Sequence, residues 1–368
     1  MFKCTLCFTI FIISINTAIC QIKPDTTVYY FKYAQPQDAL ITNAERADYF
    51  RVILPPDQND DRSNIKEFYK NGKAKLIGKS GSETISNLKS SQIVLDGDCV
   101  SYYSNGKKES TVHYSKGYKD GVEYIFYPDG KVYCSIKHIL FQEIYEKTLF
   151  WECYDDKGNM ICQNGNGLWL LYDENYKNVI NQGNIKNGYE DGEWHGRTLR
   201  PDSITYVYFY KKGDLIKSLG YKDKIAYPFN EAFEHASYHK GELTDFIENL
   251  KGHLKWPIGE DGKKISLDTI QISFIIEKDG TLNEIEVLGT QKSNIKEALV
   301  TALKKTDKWT PAKYYGVPFR TNVILPLQYN SKYMELQHTQ GPIKYPGIQQ
   351  YEGIQQKQVS YYERLIDF

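Results

Sequence analysis

Near the C-terminus, apolar residues recur in two stretches at the spacing that places one apolar stripe on an α-helix. The first stripe consists of Leu243, Phe246, Ile247 and Leu250. Pro257 follows it, and a helix must end before a proline because its ring blocks the helical hydrogen bonds. The second stripe consists of Ile295, Ala298, Leu299, Ala302 and Leu303. Asn294 and Glu297 have the spacing of a capping box, which predicts where the second helix begins.

Apolar and polar residues alternate between and after these helices, which predicts three β-strands. The first strand carries Ile270, Ile272, Phe274 and Ile276 on one face. Asp279-Gly280 then makes a hairpin turn, and the return strand carries Ile285 and Val287. The step from Leu282 to Ile285 breaks the alternation and predicts a β-bulge. The core face of the last strand consists of Val323, Leu325, Leu327 and Tyr329.

The last strand contains Pro326 and no charged residue. Proline has no N–H to give to a neighbouring strand, so within sheets it occurs on edge strands or at bulges. Charged residues are the usual protection of an exposed edge against a new neighbour. The sequence therefore predicts an accessible edge that binds an extended peptide by strand addition. The predicted peptide-binding residues are Thr321, Asn322, Val323, Ile324, Leu325, Pro326, Leu327, Gln328 and Tyr329.

Six short motifs follow one another in this region, and in this order they resemble the TonB C-terminal domain over residues 237–330. The motifs are Gly241-Glu-Leu-Thr-Asp-Phe-Ile, Leu254-Lys-Trp-Pro257, Ile272-Ser-Phe-Ile-Ile-Glu-Lys-Asp-Gly280, Lys296-Glu-Ala-Leu299, Trp309-Thr-Pro-Ala312 and Leu325-Pro-Leu-Gln-Tyr329. Two positions depart from the family: His239-Lys240-Gly241 stands where relatives often carry Pro-Gly-Gly, and Trp256 replaces the usual tyrosine.

The resemblance implies a small domain of two helices and a three-stranded antiparallel sheet. It also implies a partner, which is an outer-membrane TonB-dependent transporter or another protein of the cell envelope. Side chains of Lys255, Trp256 and Pro257 are expected to add contacts to the bound peptide. Full energy transducers of the family also carry an inner-membrane helix and a long proline-rich span. Neither is evident here, so coupling to the proton gradient is left open.

The middle of the chain repeats a short pattern of two aromatic residues, a turn dipeptide and a lysine. The copies are Phe68-Tyr-Lys-Asn-Gly-Lys73, Tyr102-Tyr-Ser-Asn-Gly-Lys107 and Phe126-Tyr-Pro-Asp-Gly-Lys131, and Gly117-Tyr-Lys-Asp-Gly121 recurs as Gly188-Tyr-Glu-Asp-Gly192. Such a period is typical of hairpins that stack on their neighbours. Gly106 and Gly130 are expected at equivalent turn positions with positive φ. The copies resemble MORN-type repeats over residues 64–222, which we interpret as a structural platform.

The remaining segments complete an α+β organisation: an N-terminal antiparallel β-sheet of hairpin repeats, then the small domain with two helices and three strands. Residues 1–20 have a short apolar core and end in Ala18-Ile-Cys20, which predicts a cleaved signal peptide and export to the periplasm or cell envelope of a Gram-negative bacterium. An uncleaved anchor or a lipid on Cys20 is the alternative. Residues 21–63 are predicted as a β segment, residues 223–236 as a linker and residues 331–368 as a flexible tail.

Four cysteines lie beyond the leader, and in an exported protein they permit disulfides. A two-residue turn at Lys157-Gly158 would place Cys153 opposite Cys162, which makes these two a candidate disulfide. The alternative is that the cysteines are small buried thiols.

The composition and motifs disfavour other classes of function. Lys+Arg 46 balances Asp+Glu 46, so no basic surface for nucleic acid is expected. His235 and His239 lack an acidic residue that would complete a zinc motif, and no phosphate-binding glycine loop or catalytic nucleophile motif occurs. We therefore expect a non-enzymatic protein without cofactor, metal or small-molecule substrate. Its TonB-like domain would bind the partner, or alternatively the repeat sheet would be the main contact surface of an envelope scaffold.

Overall fold

The computed structural model describes residues 26–34, 37–81, 93–141, 145–199, 204–260, 262–265, 267–330 and 335–338, so the predicted leader lies outside the described residues. Contacts divide the chain into two compact units. The first is Met1–Gly121 with Leu140–Tyr145, and the second is Val122–Ile139 with Glu146–Phe368. The described residues are mostly antiparallel β-sheet with two α-helices, which agrees with the α+β class. None of their helices is long and apolar enough to cross a membrane.

The strands of the first unit are β1 (Thr27–Lys32), β2 (Ala39–Ile41), β3 (Tyr49–Leu54), β4 (Ser63–Tyr69), β5 (Ala74–Ser80), β6 (Gly97–Tyr102) and β7 (Lys108–Ser115). β1 pairs with β2 and β3, and from β3 onward each of these strands pairs with the next. A buried ion pair lies at the centre: Arg51 Nη2 is 2.7 Å from Glu67 Oε1, and Lys75 Nζ is 2.6 Å from Glu67 Oε2. Removing one partner would leave a buried charge uncompensated, so a shift of β3 against β4 that separates Arg51 from Glu67 is disfavoured.

The strands that follow are β8 (Tyr118–Phe126), β9 (Val132–Phe141), β10 (Tyr145–Tyr154), β11 (Met160–Gln163), β12 (Asn166–Tyr172), β13 (Val179–Lys186), β14 (Tyr189–Arg197), β15 (Thr205–Lys211), β16 (Asp214–Lys222) and β17 (Ile225–Pro228). β8 and β9 contain residues of both units, and the later strands belong to the second unit apart from Tyr145. From β10 to β17 each strand pairs antiparallel with the next. The repeats are therefore hairpins that stack along the sheet.

One kind of turn uses the repeated aromatic and glycine pattern. The Tyr103 N–H donates to the Lys107 carbonyl at 2.9 Å, and the Gly106 N–H donates to the Tyr103 carbonyl at 2.8 Å. The same two hydrogen bonds recur at Gly130, and the φ values of Gly106 and Gly130 are 88° and 91°. The predicted equivalence of these two glycines is confirmed.

A second kind of turn has positive φ at two successive residues, as in Asn187–Gly188 and Lys212–Gly213. Each of these turns donates hydrogen bonds to the preceding part of the sheet. The Gly188 N–H reaches the Gly165 carbonyl, and the Gly213 N–H reaches the Glu190 carbonyl, both at 2.9 Å. The Lys212 N–H reaches Asp191 Oδ1 at 3.4 Å. We call this series the turn ladder, and it gives Asp191 of the Gly188-Tyr-Glu-Asp-Gly192 copy a structural role.

Large aromatic side chains pack over glycines of the neighbouring strand. A Cβ added at Gly183 would overlap the Trp194 ring, and a Cβ at Gly196 would overlap the Tyr206 ring. Trp194 is fully buried in the main core cluster of the repeats. The sheet thus keeps small residues where an aromatic side chain must lie flat on the backbone.

Cys153 and Cys162 are paired directly across β10 and β11, as predicted. The turn between them is longer than the predicted two-residue turn, because the Asp155 N–H donates to the Asn159 carbonyl. A bulge lies between Cys153 and Tyr154, just before this turn. Both thiols are free and buried. Burial raises the pKa of Cys153 to about 12 and that of Cys162 to about 11. The candidate disulfide stays a prediction.

The C-terminal elements are β18 (Phe233–Glu234), β19 (Ser237–Tyr238), α1 (Leu243–His253), β20 (Leu267–Ile276), β21 (Leu282–Leu288), α2 (Ser293–Leu303), β22 (Trp309–Thr310), β23 (Lys313–Tyr314), β24 (Val317–Pro318), β25 (Thr321–Asn330) and β26 (Glu335–His338). We refer to β19–β26 as the C-terminal domain. Its main sheet has the order β21-β20-β25-β26, so it contains four strands where three were predicted. The fourth strand comes from residues 331–368, which were predicted to be a flexible tail.

The predicted stripes and strand faces form the core of the C-terminal domain. Phe246 and Leu250 of α1 and Leu299 of α2 are fully buried against alternate residues of β20 and β25. The bulge is confirmed, because Ser273 pairs with Glu286 and Ile275 with Asn283. The predicted capping box of α2 is wrong. The helix begins at Ser293, so Asn294 lies inside it, and its Oδ1 accepts the N–H of Ile295 at 2.9 Å.

Residues 223–236, which were predicted as a linker, are part of the folded second unit. β17 pairs with β16, and Phe233 of β18 pairs with Tyr314 of β23. The turn at Tyr315–Gly316 has φ values of 48° and 77°. Tyr315 stacks on Tyr206 with ring centroids 4.1 Å apart, and both rings lie in one buried cluster. The C-terminal domain and the last repeats therefore share a core.

We expect Gly106→Val and Gly130→Val each to lower the free energy of unfolding by ~1 kcal/mol or more, because a β-branched residue is strained at positive φ. Urea denaturation followed by circular dichroism measures the loss. Gly106→Asn is the control, since asparagine tolerates this conformation better than other residues with side chains. If both valine variants unfold at the urea concentration of the parent chain, the turns do not need glycine.

Gly220→Ala is expected to destabilise the second unit by about 1–3 kcal/mol, the usual cost of overpacking. The added Cβ would overlap the carbonyl oxygen of Tyr315. Gly252→Ala is the matched control. Gly252 lies in α1, where a Cβ meets no atom within 4 Å, and alanine there should raise stability slightly. Thermal unfolding separates the two variants, and equal effects would contradict the shared core.

Stability is expected to fall as pH rises because of Glu190. Burial raises the pKa of this carboxyl from 4.5 to about 7, so the folded chain binds more protons than the unfolded chain between these pH values. The resulting loss of stability begins near pH 4.5 and is complete above about pH 7. Glu190→Gln should therefore gain roughly 1–3 kcal/mol relative to the parent between pH 4 and pH 8. Urea denaturation of the variant and the parent at both pH values tests this. The prediction is contradicted if the difference in free energy of unfolding between the two proteins is the same at both pH values.

Candidate functional site

The four-stranded sheet of the C-terminal domain has two different sides. β21 pairs only with β20 among the described strands, and it carries Glu284 and Glu286 beside its bulge. Arg320 pairs with Glu284, and its Nε is 3.0 Å from Glu277 Oε1. Charges and a bulge are the features with which sheets discourage an added strand. The β21 side is therefore protected, whereas residues 321–329 of β25 contain no charge.

Side chains of β25 alternate between the core and the other face of the sheet, as predicted. Val323, Leu325 and Leu327 are fully buried against the helices. Asn322, Ile324 and Pro326 are half-buried and Gln328 is exposed, while the side chain of Tyr329 lies outside the described residues. The predicted peptide-binding residues therefore divide into a structural set on the core face and a set whose side chains lie outside the core.

Pro326 determines which backbone groups of β25 face away from β20. It pairs with Gln271, and Ile324 pairs with Ser273. Residues in an antiparallel pair alternate between exchanging two hydrogen bonds and exchanging none. Since Pro326 has no N–H, we infer that its pair with Gln271 exchanges none. The N–H groups of Asn322 and Ile324 then point outward, toward the position of an added strand.

β25 is an edge over only part of its length, which corrects the sequence-based prediction. β26 pairs antiparallel with the second half of β25, where Gln328 lies opposite Gln337 and Asn330 opposite Glu335. Leu327, Gln328 and Tyr329 therefore already have a neighbouring strand. Within the described ranges, no strand pairs with the outer side of residues 321–326. Residues 321–326 are the candidate site, and we call them the open edge.

The predicted contact at Lys255, Trp256 and Pro257 is only partly available. Trp256 is buried in the core of the C-terminal domain, and its Nε1 donates to the Ile265 carbonyl at 2.6 Å. This aromatic ring therefore stabilises the domain and does not face a ligand. Lys255 is exposed and Pro257 is half-buried. The sequence could not distinguish these states, because tryptophan before proline fits a surface corner as well as a buried one.

Charged groups near the C-terminal domain serve its turns. Asp279 Oδ1 accepts the Thr281 hydroxyl at 2.6 Å and the Thr281 N–H at 3.1 Å. These hydrogen bonds, with Lys308 adding to them, lower the pKa of Asp279 to about 2. Lys240 likewise lowers the pKa of Asp307. His235 and His239 are exposed, and the described residues contain no group of three potential metal ligands.

The open edge offers main-chain donors and acceptors, and its own residues contain no acid, base or thiol. Such an arrangement can bind an extended strand. In comparisons with known proteins, no family model and no curated protein matched the chain. The geometry of β25 and β26 is therefore the basis for a functional assignment.

Proposed function

We propose that the chain is a non-enzymatic protein of the periplasm or cell envelope whose C-terminal domain binds an extended segment of a partner by strand addition at β25. The partner would be an outer-membrane TonB-dependent transporter or a similar envelope protein, as the resemblance of residues 237–330 to TonB C-terminal domains implies. One observation carries the proposal. β26, a segment of the chain itself, is added as an antiparallel strand to β25 at residues 327–330.

The pairing of β26 supports strand addition because the same backbone face continues along the open edge. Outward N–H and C=O groups recur at every second residue of a strand. The groups of Asn322 and Ile324 therefore point to the same side of β25 as those of Gln328, which lies opposite β26. Pro326 interrupts this row by one donor. A partner strand would therefore gain its main-chain hydrogen bonds mainly at Asn322 and Ile324. The absence of charge on residues 321–329 removes the usual obstacle to such pairing.

Ile324→Pro is expected to weaken binding by roughly tenfold or more, the effect of losing at least one main-chain hydrogen bond, while the domain stays folded. The measurement titrates short synthetic peptides from the periplasmic segments of outer-membrane TonB-dependent transporters against the chain from Gln21 onward. Fluorescence anisotropy reports binding and circular dichroism reports folding. Ile324→Ala is the matched control, because it removes the side chain and keeps the N–H.

Two results would contradict the proposal. One is the absence of binding at sub-millimolar peptide to a folded chain, also after residues 331–368 are removed. The other is equal binding by the proline and alanine variants, which would place the peptide away from the open edge.

The alternative function is an envelope scaffold whose repeat sheet is the main contact surface. It is favoured by the shared core around Tyr206 and Tyr315, which joins the C-terminal domain to the last repeats. The repeats also expose large apolar side chains, among them Tyr124 at 40% and Leu168 at 37%. Under this alternative, transporter peptides do not bind, and partner capture depends on those exposed residues and not on Ile324.

A further inference from the structure

A groove of about 550 Å³ lies beside two successive turns of the repeat region, away from the open edge of β25. It is lined by Lys186, Asn187, Tyr189, Asp191, Gly192, Tyr210, Lys211 and Lys212. A volume of this size is within the range of small-molecule sites. The groove belongs to strands β13, β14 and β15 and the turns that follow β13 and β15, which the proposed peptide binding does not use.

The turn ladder builds this groove. The turn at Lys212–Gly213 is tied to β14 through the Glu190 carbonyl and the Asp191 carboxylate. Gly192, the residue after Asp191, has a φ of 78°, and a Cβ added there would meet no atom within 4 Å. The space in front of Gly192 is therefore open. The equivalent glycine in the earlier copy is Gly121, which also has a positive φ and open space around it.

The charge at this groove is mainly positive. Lys186, Lys211 and Lys212 are exposed, and across the described part of the chain none of them lies within ion-pair distance of a carboxylate. Lys147, which is not part of the lining, places its ammonium group 5.2 Å from the centroid of the Tyr189 ring. Like charges gathered in a concave site raise the local concentration of ligands of opposite sign.

Two tyrosine rings supply the apolar part of the lining. Tyr189 and Tyr210 are both half-buried, so each keeps some ring surface at the groove. Tyr210 is held by the edge of Trp194, with ring centroids 6.0 Å apart. Tyr189 lies against Gly213, where an added Cβ would be 3.1 Å from its ring. Fixed rings of this kind can pack against a flat apolar face of a ligand.

Asp191 and Asn187 limit which anionic ligands suit the groove. A carboxylate in the lining repels an anionic group placed beside it, so the acidic group of a ligand must lie near the lysines and an uncharged part of the ligand near Asp191. The same carboxylate can accept hydrogen bonds from hydroxyl groups, and the Asn187 amide can both donate and accept them. We propose that the groove binds an acidic saccharide, a sugar ring that bears a carboxylate or phosphate group. The lysines bind the acidic group, the tyrosines pack on the ring, and the polar pair binds hydroxyls.

The test is isothermal titration of the full chain at low ionic strength with four probes. Trigalacturonate and glucose 6-phosphate represent polymeric and free acidic sugars, maltotriose is the neutral sugar, and phenyl phosphate is the anion whose ring is not a sugar. We expect one or both acidic sugars to bind at least roughly tenfold more tightly than maltotriose and phenyl phosphate. Which of the two binds more tightly distinguishes a polymeric source of the saccharide from a free one.

Two variants locate the binding. Gly192→Asn places a side chain in the open space while tolerating positive φ, and Lys211→Gln removes one charge without changing the turn. Each should weaken binding of the acidic sugar by roughly tenfold. Gly121→Asn makes the same change at the equivalent glycine and should leave binding unchanged. Circular dichroism checks folding, and Lys211→Gln keeps the test decisive if Gly192→Asn does not fold.

The proposal is overturned if trigalacturonate and glucose 6-phosphate both bind no better than maltotriose. It is also overturned if phenyl phosphate binds as well as the acidic sugars, because the groove would then recognise anions without regard to the sugar ring. Equal loss of binding in Gly192→Asn and Gly121→Asn would place the ligand elsewhere. None of these results affects peptide binding at β25, so the two proposals fail independently.

Discussion

The hydrogen bonds that each two-residue turn donates to the preceding part of the sheet are the interaction on which the second unit depends. A strand pair alone fixes only its own register, whereas the N–H groups of Gly188 and Gly213 bind the carbonyl groups of an earlier hairpin. Positive φ at both turn residues is what aims these N–H groups sideways. Each hairpin is therefore positioned by the one before it.

The C-terminal domain joins this arrangement through a turn of the same conformation. Tyr315 and Gly316 both have positive φ, and the Tyr315 N–H donates to the Ala232 carbonyl at 2.6 Å. The Tyr315 ring stacks on Tyr206 of β15. The turn thus binds residues 223–236 through its N–H and contacts the repeats through the Tyr315 ring. This explains why residues 223–236 form short strands, since a free linker would leave the Tyr315 turn without its partner.

Local patterns in the sequence predicted the elements that depend on local physics. Alternation identified the buried faces of β20 and β25, helical spacing identified α1 and α2, and glycine identified most positive-φ turns. The predictions that failed concern contacts between residues distant in the sequence, or which of several neighbouring residues begins an element. Tyr176 adopts a φ of 55° in a turn that has no glycine, a conformation that the surrounding buried tyrosines impose. Lys292 precedes α2 where Asn294 was expected, and the helix begins without a side-chain cap, which a capping-box pattern cannot predict.

The sequence predicted an accessible side on β25 but not how far along the strand it extends. Pro326 and the absence of charge identified β25 as the strand with an accessible side. β26 could not be recognised, because Glu335-Leu-Gln-His338 has one apolar residue and no alternation. It pairs with β25 through the backbone, which side-chain patterns do not reveal. The burial of Trp256 was likewise invisible, since it depends on the Ile265 carbonyl, which accepts a hydrogen bond from Nε1.

The short connection between β25 and β26 has a consequence for affinity. Only residues 331–334 separate the two strands, so β26 is held near β25 at an effective concentration on the order of millimolar. A partner strand that extends over residues 327–330 must compete with this tethered segment. A partner strand confined to residues 321–326 meets no such competition from β26. If partners bind as proposed, the chain discriminates between them by the length of the strand they offer, in addition to its sequence.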